Sequence, residues 1–470
     1  MDDEWDLVVI GSGAGGLSAA VSAAEGGCRV LVFESEREFG GSMALSGGVF
    51  CAAGTSVQSA LGLEDSPELY YRHYMDLNQW VLRPGLIRTF CYESTPTFEW
   101  LLGMGLEVPP HLSENSHQPG IRKLGVEVPR RGHIPVGEGY ALAQVLERAR
   151  KDRGVELVLG TRVERLLIEN GRVTGVVADD VEVRVPAVVV ASGGFARNDE
   201  LLARLFPRAL RAGADRYVVA GQGSRGDHVA FADQVGAAIV GEDWGSLLIG
   251  AYFQRDHHWQ SGFPPVARVL VDGTGRRYSD EDAPYSVAVS LMEAIGGHAW
   301  MVFDEAGRRG LPPGYPAWSP EPVQAEADAG RTHRAGDLRT LAGMIGADPD
   351  TLVATLERWN ETLPNGYDPE FLRHESLAAY GYPTPARIAE PPFYAVRTLP
   401  IGLIVTQAGL QIDEHARVID RFGRVIPGLY AAGEAAGGIL GPHYIGATSI
   451  ASALTMGRRA GHHASGRSER

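Results

Sequence analysis

The chain has 470 residues, 44% apolar and 21% charged, with 60 glycines and a formal net charge of −15. That length exceeds one ordinary compact core and predicts two domains, while the acidity argues against nucleic acid or an anionic membrane as a main partner. Three scattered cysteines, Cys28, Cys51 and Cys91, suit neither a disulfide framework nor a metal site, and with no signal-peptide pattern or membrane-length apolar run the expectation is a cytoplasmic protein without stable membrane insertion.

The first element is the most informative. In "DLVVIGSGAGGLSAAVSAAEGGCRVLVFESE" a buried strand, Leu7–Ile10, runs into Gly11, Gly13 and Gly16 in G-x-G-x-x-G spacing, then a small-residue helix and a second strand ending at Glu34. Gly11 permits the tight turn, Gly13 admits a pyrophosphate against the backbone, and Gly16 lets helix and strand close up. The helix start, with Ala14 and Gly15, offers N–H groups to phosphate, and Glu34 with Ser35 stands where ribose hydroxyls are held. The next segment, "EREFGGSMALSGGVF", brings Gly41, Ser42, Ser46, Gly47 and Gly48 into a second small-residue loop. A nicotinamide domain has no need of such a loop, whereas the longer FAD does.

The G-G-S-x-A-L-S-G-G pattern resembles the flavoproteins of the fumarate reductase/succinate dehydrogenase superfamily, and within it the 3-ketosteroid dehydrogenases. The resemblance implies an α/β fold: a Rossmann-like, glutathione-reductase-like FAD-binding domain carrying an inserted α+β capping and catalytic domain. In succinate dehydrogenases a histidine near this loop attaches the flavin; Gly41 stands in the matching place, so the resemblance implies non-covalent FAD.

Further along, residues 139–178 read as a helix, a strand and a hairpin around "ENGR", and the resemblance places the backbone of Val163 against the adenine. "VRVPAVVVASGGFARN" is a buried strand ending in Ser192 and Gly193, similar to the superfamily segment that returns the chain to FAD. Gly221, Gly223 and Gly226 repeat the G-x-G-x-x-G spacing, but no strand with a terminal acid follows, so they read as a helix start with Asp227 near the FAD. Residues 240–385, rich in Pro, Gly and aromatics, read as the inserted domain, leaving 1–239 and 386–470 for the FAD-binding domain. At its heart "ARVLVDGTGRRYSDEDAPYS" resembles the steroid-dehydrogenase motif through Gly275, Arg277, Tyr278, Asp280, Glu281, Pro284 and Tyr285; Arg277 and Glu281 are placed to pair and brace the domain. His257 and His258 lack a third ligand for a metal. In "GLYAAGEAAGG" the resemblance assigns Gly433 and Glu434 to the ribityl chain.

The last segment, "GPHYIGATSIASAL", sets His443 and Tyr444 before a helix expected to start near Gly446, whose N-terminus, with Ser449 and Ile450, would serve the flavin. Where fumarate reductases carry an arginine this chain has Tyr444, and where they carry a strand histidine it has Ile404 or Val405. The resemblance therefore implies a small apolar ketone rather than a dicarboxylate. Gly446 N–H and one tyrosine would polarise the ketone, another would take the α proton, and hydride from the β carbon would pass to flavin N5. Tyr285 and Tyr444 are the candidate tyrosines, in either role, with His443 beside them. The single tyrosine before the small residue is more like the 4,5-desaturating 5α type than the 1,2 type. Alternatives are an enone or enoate reductase, a flavoprotein subunit of a membrane respiratory complex, and a flavin-binding protein without turnover. The electron acceptor is left open.

Overall fold

A computed structural model describes residues 5–113, 118–123 and 129–466. It divides into two compact units: Met1–Arg208, Ala220–Gly245 and Val405–Arg470 form the first, Ala209–Val219 and Ser246–Ile404 the second.

The first unit is built on strand β1 (Leu7–Ile10), helix α1 (Ala14–Glu25) and strand β2 (Val30–Glu34). Strands β3 (Glu156–Leu159), β4 (Ala187–Val190), β5 (Arg417–Ile419) and β6 (Val425–Ala431) complete a six-stranded sheet in the order β5-β6-β4-β1-β2-β3. All pairs are parallel except β5 with β6; Val8 registers with Leu31 on one side and Val188 on the other. β1 and β4 are buried throughout, as the continuous apolar runs "LVVI" and "AVVV" require of parallel strands covered on both faces. The chain leaves β1 towards β2 and β3, then returns to β4 on the opposite side. The carboxyl ends of β1 and β4 therefore form a switch point, the place where open α/β sheets take their ligands.

Two further helices matter for the site, α2 (Pro67–Leu77) and the last one, α3 (Thr448–Ala464). α3 packs along α1 through small residues. A Cβ on Gly457 would lie 2.2 Å from Gly15 O, and one on Gly461 2.1 Å from Ala19 O. Ser18 and Ser22 of α1 donate to the carbonyls of Leu454 and Arg458 at 2.6 and 2.9 Å. The small residues of the last helix thus bring two helices together.

That helix begins at Thr448, two residues past Gly446. Ala447, its N-cap, sits at φ +68°, so the backbone is left-handed there and the helix cannot extend upstream.

In the second unit strands Val269–Val271, Ala299–Asp304 and Phe393–Thr406 pair antiparallel, and Tyr217–Val218 runs parallel to Gly402–Leu403. These pairings draw residues 209–219 and 386–404 into the second unit, outside the bounds expected from composition. The strand Phe393–Thr406 is mostly buried and has no composition break where one unit gives way to the other.

Candidate functional site

The dinucleotide loop has the geometry its glycines imply. Gly11, at φ +100°, would set a Cβ 2.4 Å from Ala191 O, and Gly16 would set one 1.8 Å from Gly11 O, so any side chain would force β1, β4 and α1 apart. Gly13 differs: a Cβ there would meet nothing within 4 Å. It is the N-cap of α1 and has no side-chain cap, so no side chain there satisfies the first-turn N–H groups. Ala14 opens that turn, and Gly15 holds it against Gly433 N, 3.0 Å from where its Cβ would be.

Glu34 is almost fully buried and ties the loop down. Its Oε2 accepts from Ser12 N at 2.8 Å and Ser12 Oγ at 2.7 Å, and its Oε1 from Glu36 N at 2.9 Å and Ser35 Oγ at 3.3 Å. Thr161 N reaches Glu34 O at 2.8 Å, which places the start of Val163–Glu169 beside the end of β2.

The second glycine loop closes on the first. A Cβ on Gly41 would stand 3.4 Å from Gly13 Cα, and Ser42 Oγ accepts from Gly221 N at 3.0 Å. Ser46 is used within the loop, donating to Met43 O and accepting from Gly48 N. Gly47 is buried, and Gly48 lies so close to Glu138 and Gly139 that a Cβ would approach backbone at 2.4 Å.

At the end of β4, Ser192 Oγ is buried with no hydrogen-bond partner, and its Cα lies against Gly11. Gly193 takes φ +78°. A buried hydroxyl without a partner on the residue beside Gly11, together with a helix start that has no side-chain cap and open space around Gly13, suits a phosphate-bearing ligand. The residues present therefore fit FAD.

The two other acids assigned to the cofactor, like Glu34, have protein partners. Glu434 Oε1 accepts from Thr406 N at 2.8 Å and Thr406 Oγ1 at 2.6 Å, while Thr406 Oγ1 accepts from Phe195 N at 3.0 Å. Burial raises the Glu434 carboxyl above its ordinary pKa. Asp227 pairs with Arg162 at 2.6 Å, and burial raises its carboxyl too, against the opposing charge of Arg162. Thr406 and Arg162, which local motifs did not single out, are the partners of these two candidate residues.

At the mouth of α3, Tyr444 OH lies 2.9 Å from Ser449 Oγ in the first helical turn, and Thr448 Oγ1 donates to Ile445 O at 2.6 Å. Gly446 lies in the turn between Tyr444 and Ala447, and Ile450 is the third helical residue. His443 is held by its backbone N–H, which donates to Asn78 Oδ1 at 3.1 Å. Asn78 was not a candidate in the sequence.

In the second unit Tyr285 opens the helix Tyr285–Ala294, and its side chain lies outside the described residues. Arg277 grips Glu281 with two 2.8 Å bonds and lies 2.7 Å from Asp368, so the bracing pair is present. Arg268 and Arg373 share Asp282 at 2.6 and 2.9 Å. All three guanidinium groups are committed to carboxylates inside the unit. Among the described residues no group of His, Cys, Asp or Glu is arranged to hold a metal ion, and no helix is long and apolar enough to cross a membrane.

Residues 6–449 match the FAD binding domain family. The chain belongs to that family. FAD is accordingly its cofactor, and the protein is a flavin-dependent dehydrogenase or reductase of the group that spans fumarate reductases and 3-ketosteroid dehydrogenases. It is 29% identical over 473 residues to "Fumarate reductase (cytochrome)" of Shewanella frigidimarina, covering 98% of this chain and 77% of that protein. It is 26% identical over 566 residues to 3-oxosteroid 1-dehydrogenase of Mycobacterium tuberculosis, covering 98% of each. Among solved structures, the 3-ketosteroid-Δ4-(5α)-dehydrogenase of Rhodococcus jostii RHA1, in complex with 4-androstene-3,17-dione, superposes with a TM-score of 0.80 at 26% identity, over 99% of this chain and 97% of that one.

Proposed function

We propose that the protein desaturates a steroid-like or alicyclic ketone next to its carbonyl. The observation that carries this reading is the phenol of Tyr444 at the mouth of α3, bonded to Ser449, where a dicarboxylate enzyme of this superfamily would carry an arginine. Arg268, Arg277 and Arg373 are each saturated by buried acids, so none of them is available to clamp a diacid. A steroid-binding relative of similar fold adds support.

Bound FAD supplies the acceptor for a hydride. The residues that would hold it are Gly11, Gly13, Ala14, Gly15, Gly16, Glu34, Ser35, Gly41, Ser42, Ser46, Gly47, Gly48, Val163, Ser192, Gly193, Asp227, Gly433, Glu434, Ser449 and Ile450. The loop from Gly40 to Gly48 contains no His, Cys or Tyr, which supports non-covalent attachment. The uncapped first turn of α3 presents N–H donors that favour negative charge nearby. Gly446 N–H and one phenol polarise the ketone oxygen and make the adjacent C–H acidic. A second phenol takes that proton, Tyr285 and Tyr444 being the pair, with His443 beside the latter. A tyrosine with an ordinary pKa of about 10 is neutral at pH 7, so the accepting phenol must be relayed to another group; Ser449 is in hydrogen-bond contact with Tyr444.

The same site run backwards is an enone or enoate reductase, a reading favoured by the relatives named fumarate reductase. Anaerobic mixing of the FAD-loaded protein with saturated 5α- and 5β-3-ketosteroids separates the two. Bleaching of the flavin supports desaturation, whereas reoxidation of the dithionite-reduced protein by fumarate alone supports the reductase. A cytoplasmic location and an undetermined electron acceptor belong to the same proposal.

A further inference from the structure

The connection that carries His443 and Tyr444 is pinned by α2, more than three hundred residues upstream in the same unit. Asn78, just past the end of α2, is fully buried; its Nδ2 donates to Tyr74 O at 3.1 Å and its Oδ1 accepts from His443 N at 3.1 Å. One turn earlier the buried Tyr74 hydroxyl donates to Ile439 O at 2.9 Å. Between these two anchors Gly441 takes φ +74°, and a Cβ there would lie 2.1 Å from Asn78 Oδ1. The connection therefore touches α2 at three successive places, immediately before the phenol.

The turn after Asn78 is also unusual. Gln79 and Trp80 both adopt left-handed backbone, at φ +50° and +57°, where helices ordinarily spend a glycine. Their amides return to Asp76 O at 3.0 Å and Met75 O at 2.9 Å, which fixes the end of α2 and the direction of the Asn78 side chain. Strain of this sort persists where surrounding contacts over-determine the backbone, and it concentrates at functional sites.

We infer that Asn78 and Tyr74 are positioning residues for Tyr444. They hold residues 439–443 through their backbone so that the phenol meets Ser449. Asn78 contributes an acceptor to a peptide N–H, and Tyr74 a donor to a peptide carbonyl, so together they fix both polarities of one short loop. The inference rests on the proposed role of Tyr444.

The test uses FAD-loaded full-length Asn78→Ala, Asn78→Asp, Tyr444→Phe and the Asn78→Ala/Tyr444→Phe double variant. The readouts are amide hydrogen exchange over residues 438–446 and anaerobic flavin reduction by a saturated 5α-3-ketosteroid. Asn78→Ala is expected to raise exchange across that segment while flavin content stays at the parent level, and to slow reduction at saturating ketone by roughly 10- to 100-fold. Asn78→Asp keeps the acceptor for His443 N–H but loses the donor to Tyr74 O, and is expected to give a rate and an exchange level between those of Asn78→Ala and the parent. In the Tyr444→Phe background Asn78→Ala should cost little more, because both act through one phenol. Unchanged exchange in Asn78→Ala, or rate losses that multiply in the double variant, would overturn the inference. Parent-rate reduction in Tyr444→Phe would instead sink the proposed role of the phenol, and exchange over 438–446 would then decide alone whether α2 holds the loop.

Discussion

Ser12 and Glu34 are joined twice, through the Ser12 amide at 2.8 Å and its hydroxyl at 2.7 Å, both to Glu34 Oε2. The acid that ends the second strand thereby sets the conformation of the phosphate loop at the end of the first. Glu34→Ala would leave two buried donors without a partner, at a cost of roughly 1–3 kcal/mol for such groups. The expected result is a lower thermal midpoint together with loss of bound flavin, read by differential scanning and by flavin absorbance after gel filtration.

Two glycines separate packing from ligand binding. Gly461→Ala would drive a Cβ into Ala19 O, and the overpacked α1–α3 contact should lose about 1–3 kcal/mol in the apoprotein. Gly13→Ala puts its methyl group into open space, so apoprotein stability should stay within about 0.5 kcal/mol of the parent. FAD affinity should nevertheless fall sharply, because the methyl occupies the hollow a pyrophosphate needs. Chemical denaturation of the two apoproteins, set beside flavin titration, checks both outcomes.

His133 makes acid sensitivity a property of the fold. It is fully buried, its Nε2 lies 2.8 Å from Thr55 Oγ1, its Nδ1 lies 2.8 Å from Arg131 O, and burial brings its pKa down to about 4. Between pH 6.5 and 4 the unfolded chain binds this proton and the folded chain does not. Stability therefore falls as pH drops through that window, by roughly 3 kcal/mol from this group. His133→Gln should flatten the pH profile of the unfolding free energy over the same range; a profile as steep as the parent's would contradict the assignment.

The buried ion network of the second unit should behave as architecture. Burial opposes ionisation of Asp282, but the charges of Arg268 and Arg373 outweigh it and hold the carboxyl at about 2. This contribution is present above an ordinary carboxylate pKa near 4 and is lost as pH falls towards 2. Arg277→Met would remove the guanidinium shared by Glu281 and Asp368, leaving Glu281 to Arg373 at 3.3 Å and Asp368 to backbone amides, at a cost of roughly 3 kcal/mol. Loss of stability with no selective loss of affinity for an added dicarboxylate, measured by flavin difference spectra, is the expected outcome.

The strand, helix and strand around the first glycine motif were legible in the sequence because their rules are local. The run from Leu7 to Glu34 needs only neighbours to specify a strand, a turn and a helix, and those elements stand within its predicted bounds. What escaped depends on distance along the chain. Asn78 and His443 are 365 residues apart, Arg162 and Asp227 65 apart, and neither spacing marks a partner. Asn78 reads like any polar residue at a helix end. Ala447 reads like a helix former, yet its left-handed backbone delays the last helix by two residues relative to Gly446. The bracing of Arg277 by Glu281 was within reach because the two lie four residues apart, whereas Asp368, which completes the cage, was not.

Anaerobic reduction of the FAD-loaded protein by a saturated 3-ketosteroid, in parent and Tyr444→Phe forms, bears most directly on the proposed chemistry. The account predicts flavin bleaching by the ketone in the parent, a reduction rate lower by roughly 100-fold or more in the variant, and no flavin turnover with succinate or fumarate. A parent flavin that ignores every saturated ketone but is reoxidised by fumarate after reduction would contradict it.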